Sequence, residues 1–278
     1  DEQVRNYLDF SDAYFDEDSY LASVNVAHNL ASLYFRAFDE PFVEEIKSYA
    51  VNYFRKILSN LGWEPKKSDK HTDALLRTFA IAVLGKMNDD SVTDEAIRKY
   101  KKFLKSPRSL SPDLIETICS IAAWNGNSKT FAELKKLYTN AKTMEEKLRF
   151  LGAMCGFQDK KLLVKTLDFS QTSAVRSQNM QLPIMKIAGN PYGDKVLWSW
   201  LKKNWKKINK KVGHGNPLFN RIVASITGVA DDSMEKEIKL FFKNNPTPGT
   251  ERTQSQTLER IRINSKFLRT MRKEFKNG

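Results

Sequence analysis

Glycine and proline are scarce, 12 and 9 among 278 residues. Strand-rich folds need both at their many tight turns, so the shortage points to helices. Histidine is scarcer still. His28, His71 and His214 lie far apart, and none stands beside a second ligand at metal-binding spacing. The chain has no HExxH, no paired CxxC, no GxSxG elbow and no phosphate loop. Each histidine therefore reads as a surface or packing residue. The missing motifs argue against an independent enzyme, although carboxylates drawn from distant helices stay open. The two cysteines, in "ETICSIAAW" and "LGAMCGF", sit among apolar residues. Cys119 and Cys155 read as buried free thiols, which suits a reducing cytoplasm. No apolar run approaches the ~18 residues that span a bilayer, and no basic-then-apolar leader opens the chain. No membrane partner is expected. A first residue of Asp rather than Met points to a chain that is trimmed, processed or a fragment of a longer one.

What is present is helical periodicity. "YLASVNVAHNLASLYFRAF" sets Leu21, Val24, Ala27, Leu30, Ala31 and Tyr34 on one stripe, and "PFVEEIKSYAVNYFRKILSNLGW" continues with Val43, Ile46, Ala50, Tyr53, Phe54 and Ile57. No stretch of five or more residues alternates strictly between apolar and polar. Ser111 before Pro112 marks one helix start, and "TMEE" at 143–146 is a capping box. Another helix begins near residue 232. "NG" at 125–126, "AGNPYG" at 188–193 and "GHGNP" at 213–217 are breaks. The pattern predicts roughly thirteen helices joined by short loops. Such a series suggests an αα-superhelix of the HEAT or armadillo kind, though no fixed-period sequence repeat is visible. The least helical segments are the acidic start, 1–18, and "NNPTPGTERTQ" at 244–254, read as an exposed loop.

Charge is unevenly spread. Of the formal net +13, residues 1–140 carry 19 Lys+Arg against 21 Asp+Glu, and residues 141–278 carry 27 against 12. The second part would attract polyanions or any negatively charged peptide end. "DKVLWSWLKKNWKKINKK", residues 194–211, concentrates that charge. At 100° per residue, Leu197, Leu201, Trp205, Ile208 and Val212 fall within an arc of about 80°, with Trp198 just beyond it. The lysines fall on the opposite side, and only Trp200 strays among them. Single-strand binding needs aromatics beside the cations, and two of the three tryptophans face away. A core-packed helix with a solvated basic back fits best. A sequence-independent phosphate-binding face and a surface facing a partner or peptide remain open, so nucleic-acid binding, if any, would be non-specific.

An ordered set of motifs supplies a resemblance. Val175, Arg176, Gln178, Ala188, Gly193, Trp198, Asn204 and Trp205 match a "V+-Q-D … A-x-N-x-x-G-x-x-x-A-W … NW" pattern, with Asn190 and Pro191 as its "N-P" pair and Asn179 in place of Asp. Upstream, Gly62, Trp63, Leu76 and Arg77 match "GW … LR", and the Gly-Asp that follows is loosened to "GKMNDD". From about residue 19 onward the chain resembles the helical C-terminal domain of the aminopeptidase-N family of zinc metallopeptidases. "GAMCG" at 152–156 is similar to that family's GAMEN motif, but Cys155 and Gly156 replace the Glu and Asn, and we read it as chance.

The resemblance implies a right-handed superhelix of HEAT-like pairs over 1–278, forming one helical domain behind the lead-in 1–18. It implies a non-catalytic C-terminal part of a larger enzyme, which closes a catalytic chamber and meets the C-terminal part of peptide substrates. Zinc would belong to the catalytic domain of the same polypeptide, with no cofactor in this chain. The alternative is a free-standing helical scaffold that binds an acidic protein or nucleic acid. A peptide's α-carboxylate is anionic at pH 7, and arginine is the residue best suited to hold it. Arg221 in "FNRIV" is the main candidate for substrate binding, against an arginine that merely snorkels at a helix edge. Arg77 in "ALLRTFA" is the second, against a structural pair with a nearby acid.

Overall fold

The computed structural model describes residues 3–13, 20–213, 216–228 and 232–276, and among these no strand occurs. Two compact units divide the chain: Asp1–Ala122 with Met271–Gly278, and Ala123–Thr270. The helices are α1 (Val4–Ala13), α2 (Tyr20–Arg36), α3 (Val43–Leu61), α4 (His71–Lys86), α5 (Asp90–Lys105), α6 (Pro112–Trp124) and α7 (Ser128–Asn140). They continue as α8 (Met144–Ala153), α9 (Lys160–Ser170), α10 (Gln181–Ala188), α11 (Asp194–Val212), α12 (Pro217–Ala224), α13 (Asp232–Asn244) and α14 (Glu251–Glu274).

Each unit alternates its helices between two layers. In the first, Arg5 of α1 pairs with Glu45 of α3 at 3.2 Å, and Arg55 of α3 pairs with Asp89 at the start of α5 at 2.7 Å. The even helices meet as closely. His28 of α2 lies 4.5 Å, ring to ring, from Phe79 of α4, and Gly85 of α4 lets Ile121 of α6 approach. The Tyr53 hydroxyl donates to the Ser23 carbonyl at 3.1 Å and ties the two layers together.

Two segments differ from the sequence expectation. The acidic lead-in carries α1, whose Val4, Leu8 and Ser11 are buried. Their i, i+4, i+7 spacing is helical but hidden among acids. The free N–H groups of Val4 and Arg5 are satisfied by the Glu274 carboxylate at 3.0 and 2.7 Å, a cap supplied by the last turn of α14. The segment 244–254 is not one exposed loop, because α14 starts at Glu251 and Thr247 and Thr250 are buried. Their hydroxyls are bonded to each other at 2.9 Å, and Gln254 donates to both.

In the second unit the odd layer runs α7, α9, α11, α13. Tyr138 of α7 packs edge-on to Phe169 of α9 at 5.2 Å, the Trp200 indole N–H of α11 donates to Asp168 of α9 at 2.8 Å, and Trp198 of α11 meets Phe241 of α13 at 5.1 Å. The even layer runs α8, α10, α12 and the part of α14 up to Thr270, with Thr253 bonded to Asn220 at 2.7 Å. The expected capping box is present: Thr143 accepts from the Glu146 N–H, and Glu146 accepts from the Thr143 N–H, both at 3.2 Å. Pro112 opens α6.

Candidate peptide-binding groove

Arg221 sits on α12, a helix of eight residues that opens on Pro217 after an Asn216 cap, whose Oδ1 accepts from Leu218 N–H at 2.9 Å. Phe219, Ile222 and Val223 bury the inner side of that helix and leave Arg221 exposed. A groove of about 360 Å³ opens beside it, walled by Met185, Ala188 and Gly189 at the end of α10, Ala224 of α12, and the 3₁₀ turn of Ser225–Gly228. Met185 is 47% exposed there. The guanidinium's one contact of note is long, 3.4 Å from Nη1 to the Gln181 Oε1. A cation beside an apolar wall suits a carboxylate that carries an apolar side chain. The resemblance and the break in an apolar run point to Arg221, but Ala188 enters only as a motif position and Met185 is not singled out.

Arg77 is placed differently. It is 1% exposed and ion-paired to Asp69 at 2.5 Å. It also donates to the carbonyls of Gly62 at 3.0 Å and Leu61 at 3.2 Å, the free acceptors at the end of α3. Gly62 turns the chain there at φ 70°, in the left-handed region that favours glycine. The "GW … LR" motif is therefore a helix-end lock. Arg221 and Arg77 belong to separate units.

The second motif is also a lock. Asn190 is buried; its amide donates to the carbonyls of Cys155 at 3.0 Å and Phe157 at 2.9 Å, and its Oδ1 accepts from Tyr192 N–H at 3.0 Å. At Gly193 an added Cβ would stand 2.1 Å from the Ile187 carbonyl oxygen, so any side chain is excluded from this turn between α10 and α11. Trp198, Trp200 and Trp205 are all buried, at 2%, 4% and 3% exposure. Trp200, projected among the lysines, is covered because α9 packs on that flank. Lys195, Lys202, Lys203, Lys206, Lys207 and Lys210 are exposed, and Lys211 is half-buried, donating to the Gln171 carbonyl at 3.0 Å.

Among the described residues no three His, Cys, Asp or Glu side chains gather where they could hold a metal ion. His28 and His71 are exposed, and His214 lies outside the described residues. Met154, Cys155 and Gly156 are buried in a 3₁₀ turn. Cys119 and Cys155 are buried and neither is in a disulfide, and burial raises the Cys119 thiol pKa far from thiolate chemistry.

The model of the ERAP1-like C-terminal domain matches residues 2–263. The chain belongs to this family. Aminopeptidase M1-D of Oryza sativa subsp. japonica is 29% identical over 264 residues, 93% of this chain and 30% of that protein. Aminopeptidase M1 of Arabidopsis thaliana is 27% identical over 241 residues, 85% of this chain and 27% of that protein. Mitochondrial aminopeptidase 2 of Saccharomyces cerevisiae is 25% identical over 270 residues, 95% of this chain and 28% of that protein. The chain thus spans about 30% of the length of these relatives. Within the ERAP1-like family the two motifs acquire a structural meaning here: both fasten helix ends. M1 aminopeptidases are zinc enzymes in general, and the described residues of this chain bring together no group of three ligands for such an ion.

Proposed function

We propose that this chain is the non-catalytic C-terminal domain of a zinc aminopeptidase. On this reading its helix pairs form a right-handed HEAT-like superhelix, close the chamber of a catalytic domain in the same cytoplasmic polypeptide, and receive the C-terminal part of peptide substrates. The observation that carries the reading is the exposed Arg221 beside an open, partly apolar groove. We assign the anchoring role to Arg221 and not to Arg77, whose guanidinium is buried and bonded to Asp69, Leu61 and Gly62.

The test is a pair of steady-state assays on the parent enzyme. A long peptide reaches the groove while its N-terminus lies at the zinc, and a single-residue anilide does not. Because Arg221 is exposed, the contact is worth about 1 kcal/mol, roughly fivefold in KM. Arg221→Ala should raise KM by that factor for peptides of about nine or more residues and leave the anilide unchanged. Equal losses for both substrates would refute the assignment.

A further inference from the structure

The groove lies on the even layer of the second unit, and the odd layer carries a feature it does not use. On α11 the exposed Lys195, Lys202, Lys203, Lys206, Lys207 and Lys210 follow one another over 16 residues, about 22 Å of helix from the first to the last at 1.5 Å per residue. α13 lies beside it, joined by the contact of Trp198 with Phe241 and by a Glu237 carboxylate shared between the Trp198 indole N–H and Lys202. Its own Lys236, Lys239 and Lys243 are exposed at i, i+3, i+7 spacing, and with them Leu240 at 58% exposure. On these two faces the one exposed acid of α13 after its first turn is Glu237, which Lys202 already neutralises and holds below the usual carboxylate range. The result is a two-helix platform of ammonium groups with an apolar side chain within it.

We propose that this platform docks peripherally on an anionic lipid bilayer. Three features select that partner over other polyanions. The cations are lysines alone, whereas protein interfaces deplete lysine and phosphate-backbone readers favour arginine's two-pronged bonding. No aromatic ring is exposed among them, since Trp198, Trp200 and Trp205 are buried, so bases have nothing to stack on. Leu240 contributes nothing to a phosphate backbone but enters the headgroup region of a membrane at a gain. Clusters of four to eight lysines on a helix are attracted to anionic leaflets, and the attraction is screened by salt. The absence of a membrane-spanning helix among the described residues bears on spanning and leaves surface docking open. Docking through the odd layer leaves the Arg221 groove uncovered.

The experiment is sedimentation of the 278-residue chain with vesicles of phosphatidylcholine alone or with about 30% phosphatidylserine, at roughly 0.1 and 0.5 M salt. Binding is expected to the serine-containing vesicles at low salt and to be lost at high salt. Lys203→Glu, Lys206→Glu and Lys210→Glu combined should lower the partition coefficient at least about tenfold. The same triple reversal at Lys101, Lys102 and Lys105, exposed on α5 of the first unit, should change it less than about threefold. Leu240→Ser should weaken vesicle binding and leave retention on a DNA duplex unchanged. Far-UV circular dichroism checks that each variant keeps its helix content. The proposal is overturned by no binding to serine-containing vesicles, by equal losses from the two triple reversals, or by tighter binding to duplex DNA than to the vesicles.

Discussion

Replacing Asn190 tests whether the turn at 188–193 is a fastening or only a connection. The side chain is 3% exposed and makes three hydrogen bonds, two as donor and one as acceptor. Each such bond is worth about 1 kcal/mol net, but a buried partner left unmatched costs about 1–3 kcal/mol. Alanine removes the bonds to the Cys155 and Phe157 carbonyls and to the Tyr192 N–H, in a cavity into which water can partly relax. The three losses share one site and do not add, so the expected cost is about 2–4 kcal/mol. Aspartate sharpens the test. It has nearly the same shape and still accepts from Tyr192, but its carboxylate would face two carbonyl oxygens from which Asn190 now stands 2.9–3.0 Å away. At pH 7 Asn190→Asp should therefore cost more than Asn190→Ala. The introduced carboxyl would have a folded pKa above its unfolded value, so its penalty is full above the folded value and relieved as pH falls through it. Urea unfolding followed by tryptophan fluorescence is the assay. Trp124, Trp198, Trp200 and Trp205 all lie in the second unit with Asn190. An aspartate variant no less stable than the alanine variant, or an alanine cost below about 1 kcal/mol, would refute the reasoning.

Trp205→Ala should cost about 3–5 kcal/mol, since its ring lies 5.0 Å from Phe219 and 5.2 Å from Phe241, while Lys206→Ala should change stability by about 0.5 kcal/mol or less. Trp205→Phe should be far milder than alanine, because it keeps a ring against Phe219 and Phe241 and gives up a buried indole N–H that has no hydrogen-bond partner; similar costs for phenylalanine and alanine in urea unfolding would contradict this. Burial alone would raise the Asp89 carboxyl, but hydrogen bonds from Ser91, the Val92 N–H and Arg55 hold it below the usual range. That contribution is complete above the unfolded value near about 3.9 and is lost as pH falls through the lower folded value, so Asp89→Asn should flatten the acid limb of an unfolding titration. An unchanged limb would count against it.

The helical class was legible because the stripes of α2 and α3 and the Thr143 box are local signals. So was the orientation of α11, whose lysines and apolar stripe separate at 3.6-residue spacing. Trp200 was misplaced by the same projection because a wheel knows nothing of the neighbour that covers its flank. α1 was missed because its N-terminal cap, Glu274, is 270 residues away in sequence. For the site, Arg221 stood out as one charge in an apolar run, whereas the groove beside it depends on how α10 ends against the 3₁₀ turn of Ser225–Gly228. Arg77 shows the reverse case, where a charge in an apolar run marked a helix-end lock.

The closure of α1 by the end of α14 bears on how the chain is made. Phe275 stacks on Phe42 at 4.4 Å, Arg272 forks onto Glu40 at 2.6 and 2.9 Å, and Glu274 caps α1, so the first unit includes residues from both ends of the sequence. Synthesis runs from the N-terminus at about 5–20 residues per second, so α1 leaves the ribosome roughly 10–60 seconds before its cap exists. Until then its acidic surface and the Phe42 ring stay open to chaperones or to unproductive pairing. Loss of Glu274 and Phe275 alone would remove the cap and the ring stack and leave that opening unfilled. Of the two units, the one that begins earlier in the sequence is the one completed later.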